Sequence, residues 1–185
     1  CTVVENTLQG KWLLKNLMMR KLKLGELNRV SVSEFKVQEK IPLIVVLENI
    51  RSLNNVGTIF RTSDAFKVEA IYLVGITAKP PHREIQKSAL GATESVTWEY
   101  LSEPMLALQK LRSEGYQIIC VEQTDQSLAL DTFQPDSDKK YGFFFGNEVS
   151  GVTEEVVVHA DNCLEIPQFG TKHSLNISVS VGVVI

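Results

Sequence analysis

The chain has 185 residues, of which 44% are hydrophobic and 22% charged, and its formal net charge is −3. This length suits one domain with a substantial core, and the composition is that of ordinary globular proteins. The negative charge argues against a general nucleic-acid coat protein, which would be basic overall, although a local basic patch remains compatible with it.

The longest apolar runs, such as PLIVVL and GFFFG, are far shorter than a bilayer span. The start of the chain places its charge after its apolar residues, which is the reverse of a secretory signal. Its three cysteines, Cys1, Cys120 and Cys163, have no metal-ligand spacing, and the last two lie in apolar runs. We therefore expect reduced core thiols, no metal site, no membrane association and a cytoplasmic location.

The first predicted element is a helix over residues 8–24, which carries apolar positions on one face and several lysines and arginines on the other. Such a basic face is either a solvated helix surface or an arm that contacts RNA. We expect residues 1–40 to be an N-terminal basic helical extension of a domain that covers residues 41–185.

From Ile41 onwards, predicted strands alternate with predicted helices. The strands are IPLIVVL (41–47), AIYLVGI (70–76), ESVTWEYL (94–101), YQIICVEQ (116–123), YGFFFG (141–146) and NCLEIP (162–167). Helices are predicted in NNVGTIFRTSDAF, over residues 103–114 and over residues 153–159, whereas residues 79–87 are predicted to form a charged loop. This order predicts an α/β fold with a mostly parallel sheet flanked by helices.

Three stretches at strand ends carry polar residues of functional type. The first, ENIRSLNNVGTIFRTSDAF, follows the first predicted strand. Asn55 is of a residue type that caps helices, and Gly57 allows a close backbone approach. Arg61 lies beyond the carboxyl end of a strand, where α/β proteins bind ligands. It is either a functional side chain or a surface arginine paired with Asp64 or Glu48.

The second stretch, FFFGNEVSGV, places Glu148 between Gly146 and Gly151. Glycines beside a carboxylate suit a bound ribose or amine, because the backbone comes close while the carboxylate accepts hydrogen bonds. A plain tight turn is the alternative. The sequence has neither the GxGxxG fingerprint of dinucleotide-binding proteins nor the GK[ST] of phosphate-binding loops.

The third stretch, EIPQFGTKHSLNISVSVGVVI, runs to the last residue. From Leu175 its apolar and small residues alternate, which by pattern alone favours a strand. Pro167 and Gly170 break the chain before it, however, and Ser174 and Asn176 are typical of helix starts. His173 is of a type that can act as a base, but a loop histidine with no fixed partner is more often a surface residue.

Taken together, the three stretches resemble the three motifs of the SpoU family of RNA ribose methyltransferases, the TrmH-like branch of the SPOUT superfamily. The resemblance covers roughly residues 41–185, and Gln168 stands where many members carry methionine. Its matching positions are Asn55, Gly57, Arg61, Gly146, Glu148, Gly151, Ile166, Pro167, Gly170, Ser174, Leu175, Asn176 and Ser178.

The resemblance implies transfer of a methyl group from S-adenosylmethionine to a ribose 2′-hydroxyl of structured RNA. It implies a C-terminal trefoil knot, which is a rare exception to the rule that protein chains are unknotted, and a homodimer. The implied cofactor residues are Gly146, Ile166, Leu175, Val121, Gln123, Thr124 and Gln168. The implied catalytic residues are Arg61, Asn55, Glu148, Ser174 and Asn176.

The family assigns proton removal to the arginine here represented by Arg61. A guanidinium stays protonated at neutral pH and is a poor base. We therefore favour a role for Arg61 in binding the phosphate beside the target ribose and stabilising the developing alkoxide. The neighbouring phosphate is then a candidate proton acceptor, while Asn55, Glu148, Ser174 and Asn176 orient the reacting groups.

Transfer RNA is the preferred substrate on the strength of the short basic segment, with a guanosine ribose as the target and 23S ribosomal RNA as the alternative. A catalytically inactive RNA-binding module with the same fold is a second alternative, disfavoured by the intact Arg61, Glu148 and Asn176. A nucleotide-binding oxidoreductase is a third, disfavoured by the missing glycine fingerprint. The resemblance also implies that the C-terminal stretch is a helix that begins at Ser174. Its small residues Ser174, Ser178 and Gly182 are expected to form part of the dimer face. We expect this helix to continue beyond Ile185.

Overall fold

The structure is a computed structural model that describes residues 20–185. Most of the predicted helix over residues 8–24, together with Cys1, lies outside the described residues. Leu24–Glu26 forms a short 3-10 turn, next to which Arg20 pairs with Glu26 at 2.7 Å. Residues 20–31 belong to one compact unit and Val32–Ile185 form a second.

Seven strands form a single sheet in the second unit. The strands are β1 (Ile41–Glu48), β2 (Val68–Val74), β3 (Thr97–Leu101), β4 (Tyr116–Val121), β5 (Leu128–Ala129), β6 (Lys140–Phe145) and β7 (Asn162–Glu165). Their order across the sheet is β3-β2-β1-β6-β4-β7-β5. Each pair of neighbouring strands is parallel, so the sheet is wholly parallel, and the predicted α/β class is confirmed.

The helices of this unit are α1 (Val32–Val37), α2 (Leu53–Ala65), α3 (Arg83–Ala89), α4 (Ala92–Ser95), α5 (Pro104–Ser113), α6 (Glu154–His159) and α7 (Ile177–Val184). Five of these seven helices, α2 to α6, lie in connections between strands, as parallel pairing requires, whereas α1 precedes β1 and α7 follows β7. No helix among the described residues is long and apolar enough to cross a membrane.

The two faces of the sheet bury two separate apolar clusters, because successive side chains of a strand point to opposite faces. In β1, Val45 and Leu47 join the cluster covered by α2, α3 and α7, whereas Ile44 and Val46 join the cluster covered by α5 and α6. Burial on both faces explains why β1 reads as a continuous apolar run and not as an alternating one.

The carboxyl ends of β1, β6, β4 and β7 lie side by side, since these four parallel strands are consecutive in the sheet. Their last residues are Glu48, Phe145, Val121 and Glu165. The loops that carry the three motif stretches leave from β1, β6 and β7, so the topology brings the motifs to one edge. Ligand sites of open α/β sheets lie at this edge.

Several predicted elements differ from the observed ones at their boundaries. The strand predicted over 94–101 begins only at Thr97, because α4 occupies Ala92–Ser95. The loop predicted over 79–87 contains the start of α3, whose first turn is capped by His82 Nδ1, which accepts a hydrogen bond from Glu84 N at 3.3 Å. Histidine is not a usual capping residue, which is why no helix start was predicted there.

The C-terminal stretch is a helix, as predicted from the resemblance and against its alternating pattern. It begins at Ile177 and not at Ser174, because Asn176 is the capping residue. Ile177 and Val181, four residues apart, are buried in the cluster shared with α2. Ser178 and Gly182 lie on this helix, whereas Ser174 precedes it.

Cys120 and Cys163 are free thiols that stand opposite each other on the paired strands β4 and β7. Cys120 is buried, as predicted, and Cys163 is half-buried. Burial raises the pKa of both thiols above the ordinary value, which keeps them protonated and unreactive at neutral pH.

Candidate active site

The start of α2 exposes Asn55 for contacts outside its own helix. Ser52 is the capping residue, and its side chain accepts a hydrogen bond from Asn55 N at 3.3 Å. The prediction that Asn55 caps the helix is therefore wrong: Asn55 lies inside the first turn. Its side-chain amide is free of the capping role and points to other elements.

Asn55 joins the first motif to the other two. Its Nδ2 group donates to Glu148 Oε1 at 3.0 Å, and its Oδ1 accepts from Asn176 Nδ2 at 3.3 Å. Asn176 also caps α7 by accepting from Ser178 N at 2.9 Å. Three predicted catalytic residues from distant parts of the sequence thus form one hydrogen-bonded chain.

The turn that carries Glu148 is compact and leaves no room for side chains at two positions. Asn147 Oδ1 accepts from the backbone N–H groups of Val149 and Ser150, each at 2.9 Å. A Cβ atom on Gly146 would lie 1.9 Å from the backbone carbon of Gly151, which itself has a φ of +66°. Both glycines are therefore required by the backbone geometry of the turn.

Two carboxylates from neighbouring strands hold the end of this turn. Glu122 Oε2 accepts from Val152 N at 3.0 Å, and Glu48 Oε1 accepts from Thr153 N at 3.1 Å. The Thr153 hydroxyl also donates to Glu48. Glu48 is only 1% exposed, and this burial raises the pKa of its carboxyl group, an effect that the two Thr153 hydrogen bonds oppose.

A cleft of about 510 Å³ opens beside the Glu148 turn at the carboxyl edge of the sheet. Its volume is that of a small-molecule binding site. Predicted residues that line it are Val121, Gln123, Gly146, Glu148, Ile166, Gln168, Ser174 and Leu175. Of the predicted cofactor residues, Thr124 alone is absent from the lining.

The loop between β7 and α7 forms one wall of the cleft. It contributes Ile166, Gln168 and Leu175, and it is tied to the loop after β4 by Gln123 Nε2, which donates to His173 O at 3.1 Å. Val121 and Gln123 form the second wall of the cleft, and this hydrogen bond connects the two walls. His173 is exposed, as expected for a loop histidine.

Arg61 lies apart from the Asn176–Asn55–Glu148 chain and does not line the cleft. It is exposed on α2, six residues after Asn55, which corresponds to about 9 Å along a helix axis. The alternative ion pairs are not formed: Asp64 accepts from the Ser95 hydroxyl, and Glu48 is engaged by Thr153. Within residues 20–185, Arg61 has no hydrogen bond or ion pair.

The charged side chains that line the cleft are acidic. They are Glu122, Glu148, Glu154 and Glu165, and in the described part of the chain neither lysine nor arginine contributes to the lining. Glu122 lies between the predicted residues Val121 and Gln123, whereas Glu165 was not predicted, although a carboxylate at the end of a parallel strand is a usable signal for a ligand site. Among the described residues, no group of His, Cys, Asp or Glu side chains is arranged to hold a metal ion.

Comparison with known proteins identifies the family. Residues 42–185 match the SpoU rRNA Methylase family. The chain is 31% identical over 144 residues to the 23S rRNA (guanosine-2′-O-)-methyltransferase RlmB of Neisseria meningitidis, a match that covers 78% of this chain and 56% of that protein. It is 29% identical over 143 residues to the tRNA (guanosine(18)-2′-O)-methyltransferase of Borreliella burgdorferi, covering 77% and 64%.

The fold also matches a solved structure with a bound cofactor. The AdoMet-bound rRNA methyltransferase of Sinorhizobium meliloti superposes with a TM-score of 0.72 at 28% identity, over 84% of this chain and 59% of that one. The chain spans 56% and 64% of the lengths of the two relatives named above. Because the family match covers residues 42–185, which is most of the chain, the chain belongs to the SpoU rRNA methylase family.

Proposed function

We propose that this protein is an RNA 2′-O-methyltransferase that uses S-adenosylmethionine as methyl donor. The single observation that carries the proposal is the hydrogen-bonded chain Asn176–Asn55–Glu148, which joins the three family motifs at one cleft. A nucleophile, a cofactor and an RNA backbone must meet at one place in this reaction, and a site assembled from three loops supports that requirement.

The cleft suits S-adenosylmethionine better than a phosphate-bearing cofactor. The donor is a cation at its sulfur, and the charged lining residues are glutamates. The pyrophosphate of a dinucleotide would be favoured by basic side chains, and among the described residues no lysine or arginine lines the cleft.

We assign the cofactor-binding role to the two walls of the cleft and to the Glu148 turn between them. The proposed contacts come from Val121, Gln123, Gly146, Ile166, Gln168 and Leu175, with Thr124 behind the first wall. When bound, S-adenosylmethionine supplies a methyl group on a positively charged sulfur that leaves as a neutral thioether. The chain's task is therefore to activate the weak nucleophile, the ribose hydroxyl.

Arg61 is proposed to bind the RNA phosphate beside the target ribose and to stabilise the developing alkoxide. Its lack of any partner among the described residues leaves the guanidinium available for this contact. The adjacent phosphate then accepts the hydroxyl proton, because a guanidinium has no free lone pair for it. Asn55, Glu148, Ser174 and Asn176 orient the ribose and the turn.

The remaining features of the proposal follow from the family resemblance. We propose a cytoplasmic homodimer with a C-terminal trefoil knot, in which residues 41–185 form the methyltransferase domain and residues 1–40 an extension. The substrate is proposed to be transfer RNA, methylated at a guanosine ribose, with 23S ribosomal RNA as the alternative. Relatives named for both RNA classes match this chain with similar identity.

Separate titrations with S-adenosylmethionine and NAD test the proposal, followed by incubation with methyl-labelled donor and bulk RNA. The proposal expects binding of S-adenosylmethionine alone and transfer of label to RNA. Binding without transfer would favour an inactive module, and binding of NAD alone would overturn the proposal. Mapping of 2′-O-methyl sites in cells with and without the gene then identifies the RNA.

A further inference from the structure

Glu122 occupies a special place in the cleft. It directly follows β4, is half-buried, and lines the cleft together with Glu165, the last residue of the neighbouring strand β7. The other two lining carboxylates, those of Glu148 and Glu154, belong to exposed residues. Glu122 and Glu165 therefore place negative charge in the less solvated part of the wall.

The Glu122 carboxylate is held in place by the backbone. Its Oε2 accepts from Val152 N at 3.0 Å and its Oε1 accepts from Gln123 N at 2.9 Å. Each carboxylate oxygen can accept a further hydrogen bond. If the side chain turned away from the cleft, the N–H of the buried Val152 would lose this partner, which favours the observed position of the charge.

The four carboxylates share one cleft of about 510 Å³ with any cation bound in it. The attraction is effective for those carboxylates that the cation approaches within roughly 10 Å, the distance over which salt leaves such attractions in place. Among residues 20–185, no lysine or arginine lines the cleft to offset the attraction, and His173 is the one basic residue in the lining. The wall thus distinguishes ligands by their charge.

We propose that Glu122, assisted by Glu165, is a specificity-determining residue that favours the sulfonium form of the cofactor over its neutral thioether product. This inference rests on the proposed function. In the methyl transfer, the ribose 2′-oxygen forms a bond to the methyl carbon while the bond between that carbon and the sulfur breaks. The sulfur keeps the electron pair of the broken bond, and the hydroxyl proton passes to the neighbouring RNA phosphate. The cleft then loses one positive charge, the attraction to Glu122 disappears, and product release is favoured.

The test compares three ligands that differ at one group. S-adenosylmethionine carries a sulfonium, sinefungin carries an ammonium at the same place, and S-adenosylhomocysteine is neutral there. Calorimetric Kd values are measured for the wild type, Glu122→Gln and Glu165→Gln. We expect each substitution to weaken the two cationic ligands by about fivefold relative to S-adenosylhomocysteine, the size of one screened charge at this range.

Glu155→Gln is the matched control, because Glu155 is exposed on α6 beside Glu154 and does not line the cleft. It removes the same charge and should leave all three Kd values unchanged. An unchanged ratio of cationic to neutral Kd values in both Glu122→Gln and Glu165→Gln would overturn the inference while leaving the proposed function intact. Failure of the wild type to bind any of the three ligands would instead overturn the proposed function.

Discussion

Asn55 Nδ2 lies 3.0 Å from Glu148 Oε1, although the two residues are 93 positions apart in the sequence. The first residue comes from the loop-to-helix junction after β1, and the second from the turn after β6, the neighbouring strand. Because the strands are parallel and adjacent, both junctions lie at the same edge. The contact is a direct consequence of the strand order and connects two of the family motifs.

The Asn55–Glu148 contact is expected to be required for methyl transfer. Asn55→Asp places two carboxylates against each other and should reduce RNA methylation by about 10²-fold, the size expected when reacting groups are misplaced. Its effect on the free energy of unfolding should stay near 1 kcal/mol, because the contact is partly exposed. Single-turnover methylation and urea unfolding measure the two quantities.

Asn54→Asp is the matched control for this substitution. Asn54 is the exposed neighbour of Asn55, and its backbone carbonyl, which the substitution keeps, accepts from the Thr58 hydroxyl. The variant should methylate RNA at the wild-type rate. Equal losses in the two variants would show that charge on this helix start, and not the Asn55–Glu148 contact, determines the rate.

Substitution of Arg61 should separate activity from stability. Arg61→Lys keeps the charge but loses the two-pronged geometry for phosphate, so we expect turnover to fall about 10²-fold. The free energy of unfolding should change by less than about 0.5 kcal/mol, because the side chain is exposed and unpaired within the described part of the chain.

Arg112→Lys should show the opposite behaviour. Arg112 on α5 donates to His159 O at 2.6 Å and lies 3.6 Å from Asp161, on the sheet face opposite α2. Its replacement should lower stability by about 0.5 kcal/mol and leave turnover unchanged. Near-full turnover of Arg61→Lys would argue against the phosphate role, and equal turnover losses in both variants would argue against any specific role of Arg61.

Gly146→Ala is predicted to displace the Glu148 turn. The added Cβ atom would lie 1.9 Å from the Gly151 carbon and 2.1 Å from Val152 N, and backbone atoms cannot move aside cheaply. We expect a loss of about 1–3 kcal/mol in the free energy of unfolding. Binding of S-adenosylmethionine should weaken at least about tenfold, equivalent to 1.4 kcal/mol, as the wall of the cleft shifts.

Gly25→Ala serves as the control for this substitution, because no atom of the described residues, apart from its chain neighbours, lies within 4 Å of the added Cβ position. Calorimetry with S-adenosylmethionine and thermal unfolding of both variants give the comparison. Wild-type affinity and stability in Gly146→Ala would contradict the requirement for a side-chain-free position in the turn.

Glu48 should make stability depend on pH. Burial raises the pKa of its carboxyl group above the ordinary value of 4.5, so the folded chain holds this proton more tightly than the unfolded chain. The contribution of this proton to stability is complete below about pH 4.5 and is lost as the pH rises through the higher folded pKa. The stability of wild type minus that of Glu48→Gln should therefore decrease as the pH is raised above 4.5.

Urea unfolding of the two proteins at a series of pH values measures this difference in the free energy of unfolding. Because all other titrating groups are the same in both proteins, their contributions cancel in the difference. A difference that is constant with pH, or that grows as the pH rises, would show that the Thr153 hydrogen bonds and not desolvation determine the protonation of Glu48.

Much of the fold could be predicted from the sequence, because the central strands are buried on both faces and read as continuous apolar runs. α3 was missed because Pro80 and Pro81 precede it and its capping residue is a histidine. α7 resembles a strand in sequence because its apolar residues alternate with Ser178, Ser180 and Gly182. In the helix, Ile177 and Val181 are buried, whereas Val179 and Val183 are exposed. Packing against α2 and the Asn176 cap make this segment a helix, and neither can be recognised from the alternating pattern.

The parts of the site that belong to sequence motifs could be predicted. Contacts that depend on the order of the strands in the sheet could not. Gly146, Ile166 and Leu175, which the family resemblance predicts as cofactor residues, line the cleft. The contact between Glu122 and Val152 was not predicted, because the two residues are 30 positions apart and meet only across the edge of the sheet. Arg61 was expected beside the other motif residues, yet it is exposed and lies outside the cleft lining.

The position of the transferred methyl group tests the central claim most directly. The purified protein and methyl-labelled S-adenosylmethionine are incubated with transfer RNA in one reaction and with 23S ribosomal RNA in another. The RNA from each reaction is then digested to nucleosides. The account predicts label in a 2′-O-methylated nucleoside from one RNA class, and a strong reduction of that label in Arg61→Lys. Label on a base, or no transfer to either RNA by a protein that binds the donor, would contradict it.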